Sequence, residues 1–488
     1  MHFTSLFQEI SATKIVGNTD IELTGICYDS RKVKPGDVFV CVVGFETDGH
    51  KYIDAALAKG ARAVVVQNGA EIPDILKEVT AIYTDDTRSA LASLAATFYG
   101  HPERKLKIIG VTGTNGKTTV TTLIKSVLEF EGKMVGLIGT NANMIGARVL
   151  PTERTTPESL ELFQLFSEML EEGVEYVVME VSSHSLELQR VHGIFFAVGA
   201  FTNLTQDHLD FHKTMENYFL AKKKLFSVSQ TGVVNIDDAA GRRLLEETTC
   251  PMASISVDGD ASFSAKNIRI SARGVVFELT YEKKKYTVRL GIPGKFSVYN
   301  ALTALASLVG AGIDIERAIE GLTFAQGVMG RCETVYTGTD YSVIIDYAHT
   351  PDGLENIIST VKEFAEGRVV TLFGCGGDRD KTKRPQMGEI AARLSDFVIV
   401  TSDNPRTEKP GAIIEDIMVG VLKTPCEYVV IENRREAIFY ALKNAKPGDC
   451  IILAGKGHET YQIIGKEKRH FDEREVVQEA LLAIRNEV

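Results

Sequence analysis

The sequence lacks the features that mark several specialised classes of protein. No apolar run reaches the roughly 18 residues of a membrane-spanning helix. The start, MHFTSLFQEISATK, has no basic segment followed by an apolar one. The 54 Lys and Arg residues are outnumbered by 65 acidic residues, so the broad basic surface of a nucleic-acid-binding protein is missing. These absences predict a cytoplasmic, monomeric chain that spans no membrane and binds no nucleic acid.

Cysteine is scarce and scattered. The seven cysteines occur singly and form no C-x-x-C pair, which argues against a disulfide framework and against a zinc knuckle. They indicate buried thiols in a reducing compartment. Internal repeats at solenoid periods and low-complexity tracts are also missing, so a repeat architecture is not expected.

What is present indicates an α/β protein of three domains. With 488 residues, the chain is about three times the ~150 that serves as a prior for one domain. Residues 1–104 predict a small α/β domain, including a hairpin turn at Lys34-Pro35-Gly36-Asp37. In residues 105–330, short apolar runs alternate with amphipathic helices, a pattern typical of a parallel sheet covered on both faces. Residues 331–488 predict a second, Rossmann-like α/β series.

The strongest motif is GVTGTNGKTT, where an apolar strand, LKIIGVT, leads into a glycine-rich loop and a helix. Such a loop directs backbone N–H groups at phosphate oxygens, while its lysine reaches the β- and γ-phosphates and the next hydroxyl binds Mg²⁺. The spacing is shorter than the usual G-x-x-x-x-G-K. The motif predicts an ATP site made by Gly113, Thr114, Asn115, Gly116, Lys117, Thr118 and Thr119.

Further motifs follow in order along nearly the whole chain. They are TTP at 155–157, EVSSH at 180–184, TNLTQDHLDFH at 202–212, DYAHTPDGLEN at 346–356 and DNPR at 403–406. Together with GTNGKTT, they resemble the Mur ligase family of peptidoglycan synthesis. The resemblance implies an ATP-dependent, ADP-forming amide ligase that activates a carboxylate as an acyl phosphate. The domains 1–104, 105–330 and 331–488 would then bind a uridine nucleotide, ATP and an amino acid.

The resemblance also implies a set of catalytic and ATP-binding residues. Lys117, His208 and Lys222 are the expected catalytic residues, with Lys222 carbamylated to N6-carboxylysine. A carbamylated lysine is an anionic oxygen ligand, so Mg²⁺ is expected at Thr118, Glu180, His208 and Lys222. The adenine, phosphate and ribose of ATP are expected at Asn300, Arg331 and Asp346. Without the resemblance, Glu180 could equally be a cap partner, His208 a loop histidine, and Lys222 part of a solvated helix face.

Five residues are implied for the nucleotide-linked peptide: Ser30, Thr155, Thr156, Ser182 and Arg190. The local sequence offers a plainer alternative for one of them. Thr156-Pro157-Glu158 is typical of the N-cap, first position and first-turn acid of a helix. Thr156 could therefore serve the helix, the ligand or both.

The amino acid is expected at the DNPR segment. A fixed guanidinium can grip a carboxylate bidentately, and meso-diaminopimelate has a second amino-acid head that L-lysine lacks. The family-matched residues are Arg379, Asp403, Asn404, Pro405, Arg406, Gly455 and Glu459. The loop GCGGDRD at 374–380 resembles a dinucleotide loop but lacks the third glycine of G-x-G-x-x-G.

Three alternatives remain open at this point. One is an L-lysine-adding ligase of the same family, and another is a folylpolyglutamate-synthetase-like ligase, which has a related phosphate loop. The third is a nucleotide-switched binding protein without ligase activity. Phosphate release that depends on both the peptide and the amino acid would separate the last of these from the ligases.

Overall fold

The computed structural model describes residues 1–44, 47–70, 79–152, 154–271, 273–325 and 327–487. The chain forms two compact units. The first comprises Met1–Ile255 and Thr303–Ala318, and the second comprises Ser256–Leu302 and Ile319–Val488. Within the described residues, no helix has both the length and the apolar character needed to cross a bilayer.

The first unit begins with a small sheet whose strands lie in the order β1-β5-β4-β3-β2. Alternate residues of the inner strands face opposite sides. Val38, Val40 and Val65 pack in a core with Leu91, and Phe39 packs on the other face. The elements are α1 (Phe3–Leu6), β1 (Ala12–Val16), β2 (Gly25–Cys27), β3 (Asp37–Val40), α2 (Ile53–Ala58), β4 (Ala63–Gln67), β5 (Thr80–Thr84) and α3 (Thr87–Phe98), with 3₁₀ turns at Gly49–Tyr52 and Pro102–Arg104.

The predicted hairpin at Lys34–Asp37 is wrong. Strands β2 and β3 are parallel, with Gly25 opposite Asp37. Parallel neighbours cannot be joined by a tight hairpin, because the chain must return to the same end of the sheet. A local turn does form, since the Asp37 amide donates to the Lys34 carbonyl over 3.2 Å. Ser30 therefore lies in a long connection that starts at the carboxyl end of β2.

A larger sheet follows in the same unit, in the order β13-β12-β11-β6-β10-β7-β8-β9. The strands from β13 to β7 are parallel, and β8 and β9 are antiparallel additions. Five of the six β6 residues are buried, as expected for a strand covered on both faces. The elements are β6 (Lys107–Thr112), α4 (Lys117–Phe130), β7 (Val135–Ile138), β8 (Asn143–Ile145), β9 (Arg148–Leu150), α5 (Ser159–Glu171), β10 (Tyr176–Glu180), α6 (Ser183–Glu187), β11 (Phe196–Phe201), α7 (Leu209–His212), α8 (Met215–Ser227), β12 (Ser229–Asn235), α9 (Ala239–Glu247) and β13 (Met252–Ser256).

The two sheets of the first unit are joined through a shared core. Ala92 and Ala95 of α3 lie in the same apolar cluster as Leu162 and Phe166 of α5. The small alanine side chains let the two helices approach closely. The start of α3 is thereby placed near the start of α5.

The second unit contains an antiparallel meander and a Rossmann-like sheet. The latter has the order β17-β18-β22-β19-β20-β21, and its strands are parallel except β17. Helices cover both faces, with Met387 and Ile417 on one side and Ile438 and Val477 on the other. From β14 onward the elements are β14 (Phe263–Ser271), β15 (Gly274–Tyr281), β16 (Lys284–Leu290), α10 (Lys295–Gly310), α11 (Ile315–Phe324), β17 (Glu333–Val335), β18 (Ser342–Asp346), α12 (Pro351–Lys362), β19 (Val369–Phe373), α13 (Lys383–Leu394), β20 (Phe397–Val400), α14 (Pro410–Val421), β21 (Glu427–Val430), α15 (Arg434–Lys443), β22 (Cys450–Ala454), β23 (Tyr461–Ile464), β24 (Glu467–His470) and α16 (Glu473–Glu487). The end of α10 and the start of α11 are counted in the first unit.

Candidate active site

The glycine-rich loop connects the end of β6 to the start of α4, as the sequence predicts. Gly116 has φ +87° and precedes the first helical residue, Lys117. Gly113 has φ +147°, and a Cβ there would lie 1.9 Å from the Thr202 hydroxyl oxygen. A side chain at Gly113 would therefore displace Thr202 and the loop that follows the neighbouring strand, β11. The loop N–H groups lie at the N-terminus of α4, where anions are favoured.

Two lysines meet at one carbonyl of this loop. Lys117 Nζ donates to the carbonyl oxygens of Gly113 and Thr114 over 2.9 and 2.8 Å. Lys222 Nζ, from α8, donates to the same Gly113 oxygen over 2.8 Å. Burial, and then the neighbouring charge of Lys117, holds the pKa of Lys222 well below its usual value. This shift favours the neutral amine more than in a free lysine, and the neutral amine is the form that can add CO₂.

A buried carboxylate faces the same loop from the adjacent strand. Glu180 ends β10, opposite Val111 of β6. Its Oε1 accepts hydrogen bonds from the Thr118 hydroxyl and the Thr140 amide over 2.9 and 2.8 Å. Among the described residues it has no ion-pair partner. A buried carboxylate beside a threonine hydroxyl fits the oxygen ligands that Mg²⁺ prefers.

His208 and Lys222 both lie against the ring of Tyr218. The His208 ring lies edge-on to the ring of Tyr218, with centroids 6.1 Å apart, and Lys222 Nζ lies 4.4 Å from the Tyr218 centroid. Burial is the main cause that lowers the pKa of His208. The neutral imidazole is the form that can bind a cation. In the described part of the chain, no group of three or more His, Cys, Asp or Glu side chains is placed to hold a metal.

Four of the residues predicted for the nucleotide-linked peptide lie together, but one local prediction about them is wrong. Helix α5 begins at Ser159 with Glu158 in the N-cap position, so Thr156 does not cap it. The Thr156 hydroxyl instead donates to the Glu180 carbonyl over 2.8 Å and accepts from the Ser182 amide over 3.2 Å. The Thr156 hydroxyl thus hydrogen-bonds to backbone groups at the end of β10, and it does not cap helix α5. Arg190 Nη1 donates to the Thr156 carbonyl over 3.2 Å, and the hydroxyl of Thr155 lies 3.0 Å from that of Thr140.

Ser30 lies half-buried in the loop after β2. This loop is fixed to helix α5 of the larger sheet, because the Tyr28 hydroxyl donates to Glu161 Oε1 over 2.7 Å. The uridine-binding role of Ser30 stays a prediction.

In the second unit, the predicted amino-acid residues gather at the carboxyl ends of the parallel strands. The DNPR segment follows β20, and Gly455 follows β22. The Asn404 side-chain amide donates to Glu459 Oε2 over 2.8 Å. Lys456 Nζ, which is fully buried, donates to Asn404 Oδ1 and Glu459 Oε2, each over 3.1 Å. Sequence reasoning missed Lys456, although its position between two glycines at a strand end was a usable signal.

Arg406 is held by the glycine loop at 374–377. Its Nη1 donates to the Gly377 carbonyl over 2.7 Å, and a Cβ on Gly376 would lie 3.0 Å from that nitrogen. A Cβ on Gly377 would lie 1.9 Å from the Pro405 carbonyl oxygen. Gly376 and Gly377 thus leave room for the DNPR segment to pack closely. This packing explains the glycines without a dinucleotide-binding site. Arg379 is exposed nearby.

Asp403 lies above a buried ion pair that the sequence did not reveal. Arg434 and Glu473 are both fully buried and lie 2.7 Å apart at Nη2 and Oε1. Arg434 Nη1 lies 3.8 Å from Asp403 Oδ2. A Cβ on Gly455 would lie 2.7 Å from the same Asp403 oxygen, so glycine is needed there.

The residues predicted for the rest of ATP lie in two places. Asp346 ends β18, and its carboxylate accepts the Cys332 amide over 2.7 Å. Burial raises the pKa of Asp346, and the positive charge of Arg331 opposes that rise. The Arg331 guanidinium lies 5.0 Å from the centroid of the Tyr347 ring. Asn300 is buried on α10.

Three family models match the chain in order. They are the Mur ligase family catalytic domain at residues 22–99, the Mur ligase middle domain at 111–308 and the Mur ligase glutamate ligase domain at 330–457. A relative from Clostridium acetobutylicum, UDP-N-acetylmuramoyl-L-alanyl-D-glutamate–2,6-diaminopimelate ligase 1, is 49% identical over 98% of this chain and 99% of its own. The chain belongs to the Mur ligase family.

The resemblance and the α/β fold class predicted from the sequence are therefore confirmed. A second relative of this Mur ligase, UDP-N-acetylmuramoyl-L-alanyl-D-glutamate–2,6-diaminopimelate ligase from Caldanaerobacter subterraneus subsp. tengcongensis, is 51% identical over 96% of both chains. A solved structure with that enzyme name matches with a TM-score of 0.73 and 30% identity, covering 99% of both chains. The similarity thus extends over all three matched segments.

Proposed function

We propose that this Mur ligase uses ATP to join meso-2,6-diaminopimelate to UDP-N-acetylmuramoyl-L-alanyl-D-glutamate in peptidoglycan synthesis, forming ADP. The observation that carries the proposal is the 49% identity to a ligase of that name over 98% of the chain. The glycine-rich loop, with Lys117 at its helix start, supports the ATP-dependent step. The domains 1–104, 105–330 and 331–488 would bind the uridine nucleotide, ATP and the amino acid.

The reaction has two steps that the first unit can support. The γ-phosphoryl group passes from ATP to a side-chain carboxylate oxygen of D-Glu, which gives ADP and an acyl phosphate. The amine of diaminopimelate then attacks the acyl carbon, inorganic phosphate leaves, and the amine loses a proton. Lys117 and the loop N–H groups would hold the phosphates and stabilise the charge that develops on them.

The cation site is proposed from Thr118, Glu180, His208 and Lys222, the last as N6-carboxylysine. Bound Mg²⁺ would neutralise phosphate charge during transfer. The buried Glu180 carboxylate and the depressed pKa of Lys222 support this donor set. Asn300, Arg331 and Asp346 would contact the adenosine end of ATP.

Ligand selection is proposed at two sets of residues. Thr155, Thr156, Ser182 and Arg190, with Ser30 on the smaller sheet, would bind the nucleotide-linked peptide. Arg406 and Arg379 would bind the distant carboxylate of diaminopimelate. The distant ammonium of diaminopimelate would donate hydrogen bonds to Asp403, Glu459 and the Gly455 carbonyl. Asn404 and Pro405 would lie beside it. L-Lysine has no distant carboxylate for Arg406, so it should be a poor substrate.

A substrate panel tests the proposal. The purified chain is given ATP, Mg²⁺ and the nucleotide dipeptide, with either meso-diaminopimelate or L-lysine, and ADP and the peptide product are measured. We expect product with meso-diaminopimelate and a rate at least about 100-fold lower with L-lysine. Equal rates would overturn the choice of amino acid. ADP release without the nucleotide dipeptide would favour a nucleotide switch over a ligase.

A further inference from the structure

Three arginines surround one carboxylate oxygen in the first unit. Glu158 Oε2 lies 3.6 Å from Arg88 Nη1, 3.5 Å from Arg154 Nη1 and 3.3 Å from Arg190 Nε. Arg88 comes from the start of α3, whereas Glu158 occupies the N-cap position of α5 without a capping hydrogen bond from its side chain. Glu158, Arg88 and Arg190 are largely buried. The smaller sheet therefore contributes a guanidinium to residues that the larger sheet positions.

The cluster contains more positive charge than its carboxylate can neutralise. Glu158 supplies one negative charge to three guanidinium groups. The neighbouring Glu161 accepts from the Tyr28 hydroxyl over 2.7 Å and forms no ion pair with these three arginines in the described part of the chain. Burial is the main cause that lowers the pKa of Arg190, and the like charges of Arg154 and Arg88 lower it further. The negative charge of Glu158 acts in the opposite direction and raises it. Unneutralised buried charge is costly, so an anionic ligand would stabilise this arrangement.

Two donor atoms of the cluster are buried without a hydrogen-bond acceptor among the described residues. They are Arg88 Nη1 and Arg190 Nε. Their approach to Glu158 is close enough for charge attraction but does not have hydrogen-bond geometry. Arg88 is nevertheless fixed, because its Nη2 donates to the Val43 carbonyl over 2.7 Å. Buried donors without partners are rare in folded proteins and usually have a ligand, a water molecule or a functional reason.

The position of the cluster indicates which ligand it would meet. Arg190 donates to the carbonyl of Thr156, a residue proposed to bind the nucleotide-linked peptide. A cavity of about 500 Å³ is lined by two members of the cluster, Arg154 and Glu158, and by Tyr28, Lys32 and Glu161, among others; Arg88 and Arg190 are not among its lining residues. The nucleotide-linked peptide carries phosphate and carboxylate oxygens, which guanidinium groups bind well.

We propose that Arg88 is an additional substrate-binding residue that, with Arg190, binds an anionic oxygen of the nucleotide-linked peptide. Glu158 holds the guanidiniums apart and in place before the ligand enters. The inference rests on the proposed function for the identity of the ligand. The anionic oxygen belongs either to the diphosphate or to a carboxylate of the peptide, and the choice of ligands in the test separates the two sources.

The test measures binding by calorimetry without ATP, using the full chain. The ligands are UDP, UDP-N-acetylmuramate and UDP-N-acetylmuramoyl-L-alanyl-D-glutamate. The variants are Arg88→Met and Arg88→Gln, the second of which keeps a donor for the Val43 carbonyl. Arg104→Met is the matched control, because Arg104 is an exposed arginine paired with Glu9 at 3.0 Å. The melting temperature and the affinity for ATP report on the fold.

We expect both Arg88 variants to bind the nucleotide dipeptide at least about tenfold more weakly, with ATP affinity and Arg104→Met unchanged. A similar loss with UDP assigns the oxygen to the diphosphate, whereas a loss confined to the dipeptide ligand assigns it to a carboxylate. If Arg88→Met fails to fold, Arg88→Gln provides the measurement. Binding within twofold of the parent chain would overturn the inference alone. A parent chain that does not bind the nucleotide dipeptide would overturn the proposed function and this inference with it.

Discussion

The phosphate loop of the first unit and the amino-acid site of the second both rely on lysine, but they pair it differently. Lys117 donates to the neutral carbonyls of Gly113 and Thr114. Lys456 donates to the carboxylate of Glu459 and to the side chain of Asn404. A lysine at the start of the helix that follows a glycine-rich phosphate loop adds positive charge to an anion site. A lysine paired with a carboxylate has much of its charge cancelled and acts as a fixed support.

The difference matches the ligands proposed for the two places. ATP is strongly anionic, so its site needs available positive charge and backbone N–H groups. Diaminopimelate carries both ammonium and carboxylate groups. Its site needs fixed donors and acceptors of both signs, and the buried Arg434–Glu473 pair and Lys456 hold those groups in place. Substitutions in the two sites should therefore affect different kinetic constants.

The largest effect is expected at the phosphate loop. Lys117→Met should lower the rate of ADP formation by about 100- to 1,000-fold, because one charge that stabilises the transferred phosphoryl group is lost. The measurement is a coupled assay of ADP release with all substrates saturating. Lys133→Met is the matched control, since Lys133 is only half-buried, lies outside the phosphate loop and is paired with Glu175 at 3.1 Å. A residual rate within tenfold of the parent would contradict the role of Lys117.

Lys222→Met should also inactivate the enzyme, by at least about 100-fold, if a carbamylated lysine holds the cation. A ¹³C resonance of a carbamate should appear when the parent chain is supplied with ¹³C-bicarbonate, and it should be missing from this variant. Lys223→Met, at a half-buried lysine paired with Glu247 at 2.7 Å, should keep both the resonance and the activity. A parent chain without the resonance would refute carbamylation.

The same substitution should change the pH dependence of stability. The depressed pKa of Lys222 means that, between its folded and unfolded pKa values, the unfolded chain binds more protons than the folded chain. Unmodified Lys222 therefore costs stability below its ordinary pKa, and the cost declines as the pH rises towards that value. Lys222→Met should be more stable to urea than the bicarbonate-free parent at pH 7. The gain should shrink at alkaline pH, and a gain that grew with pH would contradict this sign.

In the amino-acid site, Arg406→Ala should act on the amino acid rather than on ATP. The KM for meso-diaminopimelate should rise by about 10- to 100-fold, because a charge-assisted contact with a carboxylate is lost, while the KM for ATP stays within twofold. Arg393→Ala, at an exposed arginine paired with Glu355 at 2.8 Å, is the control. An equal rise in the KM for meso-diaminopimelate and in the KM for ATP would contradict the assignment of Arg406 to the amino-acid site.

A smaller effect is expected at Lys456. Lys456→Met leaves the acceptors Asn404 Oδ1 and Glu459 Oε2 without this buried donor. The KM for meso-diaminopimelate should rise by about tenfold and the melting temperature should fall, because the partly buried Glu459 carboxylate loses its cationic partner and keeps the Asn404 amide. Lys423→Met, at an exposed lysine paired with Glu389 at 2.7 Å, should change neither. A KM that does not change would show that Lys456 supports only the fold.

The sequence predicted best what is encoded in one continuous stretch. The apolar run before Gly113 and the helix after Gly116 lie where expected, because strand, loop and helix are adjacent in the chain. The parallel strands of the second unit were also predictable as successive apolar runs, but their spatial order, in which β22 lies between β18 and β19, was not. Those runs place the DNPR segment at a strand end.

Contacts between distant segments were the part that sequence could not predict. Thr156 has the local pattern of a helix cap, but its hydroxyl is used 24 residues away at the Glu180 carbonyl. The hairpin predicted at Lys34–Asp37 failed because strand direction depends on pairing across the sheet. The roles of Lys456 and Arg434 depend on partners that only folding brings together.

The central claim is that the loop at Gly113–Thr119 passes a phosphoryl group to the substrate's own carboxylate. The most direct test supplies nucleotide dipeptide labelled with ¹⁸O in the side-chain carboxylate of D-Glu, together with ATP and meso-diaminopimelate. We predict that one ¹⁸O atom appears in the inorganic phosphate released with each peptide bond formed. Unlabelled phosphate accompanying peptide-bond formation would contradict the account.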